Sequence, residues 1–169
     1  PIIVAINKMD KEGANPERIK QELTEFELVP EDWGGDTMFA PISALKGEGV
    51  DELLETIKLQ AEVMELRESP KGKAQGVIIE SKVETGRGPV ATVLVQKGTL
   101  KQGDAVVCDE FYGRARSLMD SSGKNVKSAG PSVPVQILGL NGVPSPGELL
   151  NVAKNEREAK KVAKNRVNE

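Results

Sequence analysis

The amino-acid sequence predicts an α/β piece over residues 1–68, a linker at 69–73, an all-β antiparallel barrel over 74–153 and a helical tail over 154–169. Three observations carry this division. Residues 1–68 hold 7 basic and 16 acidic side chains, residues 69–153 hold 10 and 7, and residues 154–169 hold 6 and 3. Hydrophobic periodicity changes at the first of these boundaries, from helical spacing to short β-prone runs. From Gln75 onward, glycine-bearing turns punctuate the chain at short intervals, the rhythm of a small barrel.

In the first piece, Pro1–Ile6 is a continuous apolar, β-branched run, as expected of a parallel strand buried on both faces. Asn15 followed by Pro16 is a helix start, with Asn as cap and Pro at the first helical position. Ile19, Leu23 and Phe26 then recur at i, i+4, i+7 as one apolar stripe. Gly34-Gly35 breaks the pattern, and Trp33 before it is expected to pack on a helix running to Glu27. Met38–Ile42 is a second strand, and after Gly47 and Gly49 the residues Leu53, Ile57, Ala61 and Met64 trace a helix ending near Leu66. Strand, helix, strand, helix is an α/β layer. Two parallel strands cannot cover two helices, so further strands are expected upstream of Pro1. A start on a strand-like run without an initiator Met carries the same expectation of an internal piece.

In the second piece, Gly76–Val83, Pro89–Gln96, Ala105–Cys108, Gly113–Met119, Val133–Leu140 and Glu148–Val152 are six strand candidates. Cys108 reads as a small core residue, and Phe111-Tyr112 as an aromatic lid between two strands. In the tail, Asn155 with Glu158 makes a capping-box-like start. Ala159, Val162, Ala163, Arg166 and Val167 form a stripe too thin to dock firmly, which predicts only partial helix.

Composition excludes several chemistries. Histidine is absent, so no Ser-His-Asp triad, Cys-His pair or His-ligated metal can exist. One cysteine excludes an internal disulfide and a thiolate cluster. No apolar run approaches the ~20 residues that span a bilayer, and no basic segment precedes the first apolar run as a signal peptide requires. The expectation is a cytoplasmic monomer that meets no membrane.

Ligands of open α/β sheets sit beyond the carboxyl ends of the strands. There the sequence places Asn7-Lys8-Met9-Asp10 and Ser43-Ala44-Leu45-Lys46. This pairing resembles the guanine-specificity elements of the P-loop GTPases. The resemblance implies that Asn7, Lys8, Asp10, Ser43, Ala44 and Leu45 bind the base of GTP or GDP. An ionised Asp accepts two hydrogen bonds, matching guanine N1–H and its exocyclic amine. Adenine lacks that donor pair and would leave the carboxylate unpaired. The Lys8 stem would lie along the base, Asn7 would brace the neighbouring loops, and a backbone N–H near Ala44 would reach guanine O6. The same three residue types are common in loops, and the buried strand before them is what sets this instance apart. No Gly-x4-Gly-Lys-Ser/Thr phosphate loop accompanies the motif. Gly98 to Gly103 has the spacing, but Asp104 follows where Lys is needed. The Mg2+ site and catalytic residues are therefore expected outside this chain, and the chain alone is expected to be inactive.

Further phrases extend the resemblance. The turn at residues 84–89, the segment at 97–104 and the loop at 143–147 resemble the barrel that follows the G domain in translational GTPases. Residues 31–35, 59–63, 86–95 and 135–140 resemble, within that family, the bacterial translation initiation factor 2 type. The resemblance implies that residues 1–68 are the C-terminal part of a P-loop GTPase (G) domain and 74–153 the elongation-factor-like barrel. It implies a longer protein that hydrolyses GTP, contacts the small ribosomal subunit, and places initiator tRNA through domains that lie outside this chain. Arg87, Lys97, Lys101, Arg114, Arg116 and Lys124 are the barrel's candidates for rRNA phosphates. Scattered solvated cations explain the same residues, and the tail's Lys and Arg stand equally between the two readings. Two alternatives stay open: a non-catalytic ribosome-binding barrel with a vestigial loop, and the equivalent piece of another translational GTPase.

Overall fold

A computed structural model describes residues 1–168. It divides into two compact units, residues 1–66 and residues 67 onward.

In the first unit, β1 (Ile3–Ile6) lies parallel to β2 (Met38–Pro41), with Ile3 opposite Met38 and Ile6 opposite Pro41. The connection between them runs through α1 (Pro16–Thr24) and a 3-10 turn (Glu31–Trp33), and α2 (Val50–Met64) follows β2. Asn15 caps α1, its side-chain oxygen accepting the Arg18 N–H at 3.2 Å. The helix stops at Thr24, and Glu27 takes a left-handed backbone (φ 63°) that turns the chain away. Phe26 consequently lies beyond the helix and is 72% exposed, so the expected three-residue stripe is cut short. Trp33 is half-exposed, and an ion pair of Lys20 with Asp32 (3.5 Å) ties α1 to its turn.

Ile6, Ala40 and Ile42 are buried in this unit, joined by Pro30, Thr37 and Ser43. Neither helix buries a residue, and Leu54, Ile57, Val63 and Met64 of α2 face outward. A two-stranded sheet offers too little surface to cover those stripes, as the residue pattern implies.

In the second unit the strands are β3 (Gln75–Glu84), β4 (Gly88–Lys97), β5 (Leu100–Lys101), β6 (Ala105–Cys108), β7 (Phe111–Met119), β8 (Asn125–Val126), β9 (Ser128–Ala129), β10 (Pro134–Leu140) and β11 (Leu149–Val152). Six of them run in the order β10-β4-β3-β11-β6-β7, every neighbour antiparallel, and β10 pairs with β7 to close the barrel. The short β5, β8 and β9, which periodicity does not reveal, pair at its margin. Ile78, Val93, Val95, Val106, Leu118, Val135, Ile137 and Leu150 fill the interior. Alternation is visible on β10, where Val135 and Ile137 are buried while Gln136 between them is only partly so. At the β7–β10 seam the register shifts between Leu138 and Leu140. A Cβ on Gly113 would strike the Gly139 carbonyl, and one on Gly139 would strike that of Arg114, so only glycine lets the two strands approach here.

Residues 69–73 are pinned to the barrel. The Gly98 N–H donates to the Ser69 carbonyl (3.2 Å), and the Thr99 hydroxyl donates to the Pro70 carbonyl (2.7 Å). Phe111 and Tyr112 open β7 and are not a lid between strands; Cys108 pairs with Phe111 across a tight turn.

The tail departs most from expectation. α3 (Glu156–Val167) is a complete helix whose Ala159 and Ala163 are fully buried against Val107, with Tyr112, Ala153 and Val162 around them. Small side chains let the helix lie close on β6 and β7, and close approach compensates for the thin stripe. Asn155 caps it through the Glu158 N–H (2.8 Å), while the Glu158 carboxylate reaches back to the Lys154 N–H (3.3 Å).

Candidate functional site

The carboxyl ends of β1 and β2 are adjacent because the strands are parallel and in register. Each strand therefore delivers its following loop to the same edge. The Ile42 N–H donates to the Ile6 carbonyl (2.8 Å) and the Met9 N–H to the Ile42 carbonyl (3.1 Å), so the ladder carries on into both loops.

Side chains then lock the loops together. The Ser43 hydroxyl donates to Asp10 Oδ1 at 2.7 Å and accepts the Lys46 N–H at 3.2 Å. Asn7 Oδ1 accepts two backbone donors, the Lys8 N–H (2.7 Å) and the Ala44 N–H (3.0 Å). Ser43 is completely buried. Asp10 is half-buried, and Asn7, Lys8, Ala44 and Leu45 are exposed. Thus five of the six sequence-predicted residues, Asn7, Lys8, Asp10, Ser43 and Ala44, are bonded into one cluster. Leu45 flanks it and is 84% exposed.

Two backbone features hold this shape. Lys8 has φ 63°, a left-handed conformation that costs a non-glycine residue roughly 1–2 kcal/mol. The Asn7 side chain secures it by taking the Lys8 N–H, and the Lys8 carbonyl in turn accepts from Lys11 (3.0 Å). Gly49, just before α2, has φ 73°, and a Cβ there would meet the Pro41 carbonyl. Ser43 and Glu48 exchange both backbone hydrogen bonds (2.9 and 3.1 Å), closing the Ala44–Gly47 loop on itself.

The arrangement presents an acceptor edge. With Oδ1 held by Ser43, Asp10 keeps a second carboxylate oxygen, an acceptor of the kind that suits paired N–H donors. The Ala44 N–H is engaged by Asn7, while the Leu45 N–H next to it has no partner among the described residues. The loop after β1 also borders an open cleft of about 560 Å3 against α1, lined by Asn7, Lys8, Glu12, Asn15 and Arg18. Among the described residues no three His, Cys, Asp or Glu side chains gather to hold a metal. Nor is any helix among them long and apolar enough to cross a membrane.

The barrel's basic candidates are dispersed. Arg87 is committed to Glu84 (2.9 Å), and hydrogen bonds from Lys82 and then Arg87 hold the Glu84 carboxyl below its ordinary range. Arg114 donates to the Gly103 carbonyl (2.9 Å) and stands 3.7 Å from Glu156 of α3. Lys97, Lys101, Arg116 and Lys124 are exposed. Lys124 belongs to a turn closed by Asp120, whose carboxyl is pulled down by the Ser122 hydroxyl and the Lys124 N–H.

Residues 1–62 match the family model described as Elongation factor Tu GTP binding domain, and residues 73–153 match Elongation factor G domain 2. Among solved structures, GDP-bound aIF5B from Aeropyrum pernix is similar at 22% identity and a TM-score of 0.70, over 98% of this chain and 36% of its own. The bacterial selenocysteine-specific elongation factor EF-Sec is 24% identical with a TM-score of 0.58, over 88% of this chain and 26% of its own. Elongation factor SelB from Methanococcus maripaludis, in its apo form, is 25% identical with a TM-score of 0.60, over 92% of this chain and 34% of its own. The chain thus spans about a third of these proteins or less. Likeness at such identity speaks for the fold, and the two family matches, in the order G domain then barrel, speak for kinship. The chain thus carries part of a GTP-binding domain similar to that of elongation factor Tu, followed by a barrel similar to domain 2 of elongation factor G.

Proposed function

We propose that this chain is a portion of a translation initiation factor of the bacterial initiation factor 2 type, a cytoplasmic GTPase that promotes initiator-tRNA placement and ribosomal subunit joining. In it, Asp10 reads guanine N1–H and the exocyclic amine, Lys8 lies along the base, Asn7 braces the loops, and the Ser43-Ala44-Leu45 backbone serves guanine O6. The observation that carries this reading is the pair of bonds Ser43–Asp10 and Ala44–Asn7, which ties both loops into one acceptor edge at the end of a parallel sheet. The phrases at residues 31–35 and 86–95 support the initiation type over other members. The phosphates and Mg2+ fall to residues outside this chain, because it contains no Gly-x4-Gly-Lys-Ser/Thr.

The barrel supplies contact with the small ribosomal subunit through its exposed cations. The test is a comparison of GDP and ADP affinity in the intact protein, together with GTP hydrolysis with and without ribosomes. Strong preference for GDP and ribosome-stimulated hydrolysis are expected, and equal affinity for ADP would refute the base-reading role. This chain alone is expected to show no detectable GDP binding up to millimolar concentration, since phosphate contacts carry most nucleotide affinity.

A further inference from the structure

α3 spends its small apolar face on the barrel, and what remains on its outer side is almost wholly basic. Arg157, Lys161 and Lys164 follow at i, i+4, i+7, opposite the buried Ala159 and Ala163, with Lys160 beside them. Like charges at this spacing destabilise a helix. α1 shows the ordinary remedy, pairing Arg18 with Glu22 and Lys20 with Glu17. Among the described residues, none of these four cations of α3 has an ion-pair partner. The helix's own acids are spent elsewhere: Glu156 stands by Arg114, and Glu158 takes the Lys154 N–H. The elements packed against it are β6 and β7; Arg114 of β7 stands by Glu156 of the helix, and Asp109 and Glu110 are the acids of the β6–β7 turn. Arg116 shares the outward parity of Arg114. A barrel stripe and a helix stripe of one sign thus lie on the same unit.

We infer that the outer face of α3, with Arg114 and Arg116 of β7, is a phosphate-binding surface for structured RNA; this rests on reading the chain as a ribosome-contacting factor. Two observations favour RNA over other anions. Apart from Val167 in its last turn, the apolar residues of α3 pack against the barrel, which leaves too little apolar surface to enter a lipid surface as an interfacial helix must. And three cations about 5–6 Å apart along a rigid helix suit the regular phosphates of a double helix.

The test measures binding of this chain to a 20-base-pair RNA duplex by fluorescence anisotropy across a salt series, alongside co-sedimentation with small ribosomal subunits. Replacing Arg157, Lys161 and Lys164 together by Gln leaves the docked alanines in place. It is expected to weaken duplex binding about tenfold or more at low salt, and to lower the salt slope by about two to three. The conservative set Arg157→Lys, Lys161→Arg, Lys164→Arg should bind as the parent does, and circular dichroism checks that α3 stays helical in both. Unchanged RNA affinity in the Gln variant overturns the inference. Equal binding of polyglutamate or anionic vesicles overturns the assignment to RNA. Subunit binding that the Gln variant retains would refute this face while leaving the ribosome reading intact. Absence of any binding to subunits by the parent would refute both.

Discussion

Ser43 and Cys108 are both completely buried, yet they serve different ends. Ser43 is a polar group brought inside because it has two partners, donating to Asp10 and accepting from Lys46. Its role could be anticipated only through the motif, since nothing in a lone Ser after a strand says which carboxylate it will meet. Cys108 is an inert thiol whose burial was legible in its strand. Burial, and next the charge of Glu148, whose carboxylate lies 3.7 Å from Sγ, pushes the thiol up to about 12 from 9.0. The folded state thus keeps its proton where the unfolded chain loses it. Stability from this group is present below pH 9 and falls as pH rises from about 9 toward 12, by on the order of 1 kcal/mol per pH unit. Chemical denaturation of the parent and of Cys108→Ala between pH 8 and about 11 checks this: the variant should show the shallower alkaline decline. Parallel declines would contradict the assignment.

Among the elements, α3 shows what periodicity misses. Its five weakly apolar positions suggest a frayed tail, because large side chains are few. The missing signal lies on another strand. Ala105–Cys108 is apolar at four consecutive positions, and all four are buried. A barrel strand needs only alternate positions for its interior, so Val107 on the outer face requires a cover, and Ala159 and Ala163 supply it. The strands of the barrel were legible because alternation and glycine turns are local properties. β5, β8 and β9 were not, since two-residue strands carry no period. Ala159→Glu places a carboxylate where exposure is nil. A twelve-residue helix is marginal by itself, so α3 should undock and unfold while the barrel persists. Hydrogen exchange should then show protection lost over residues 156–167 and retained in β3, β4 and β10. Loss of protection throughout would contradict an independently stable barrel.

At the scale of the molecule, the two units differ in how much core they own. The barrel has a closed interior, whereas the α/β unit buries little beyond Ile6, Ala40 and Ile42 and has two helices without a buried residue. The base-reading role proposed for it falls to an edge, where the parallel register of β1 and β2 presents two loops side by side. The order of elements and the loops were legible from sequence, since both are short-range patterns. The motif implied that Asn7 braces the loops, but not that its partner is the Ala44 N–H, because that bond joins residues 37 positions apart. Nucleotide competition in the intact protein carrying Asp10→Asn tests the base-reading role of this edge. An asparagine amide would donate where the carboxylate accepts, so it suits the 2-oxo group of xanthine and opposes the amine of guanine. We expect GDP affinity to fall by about tenfold to a hundredfold, the worth of a charge-assisted hydrogen bond, with xanthosine diphosphate becoming the preferred ligand. Undiminished preference for GDP would contradict the account and remove Asp10 from the base-reading site.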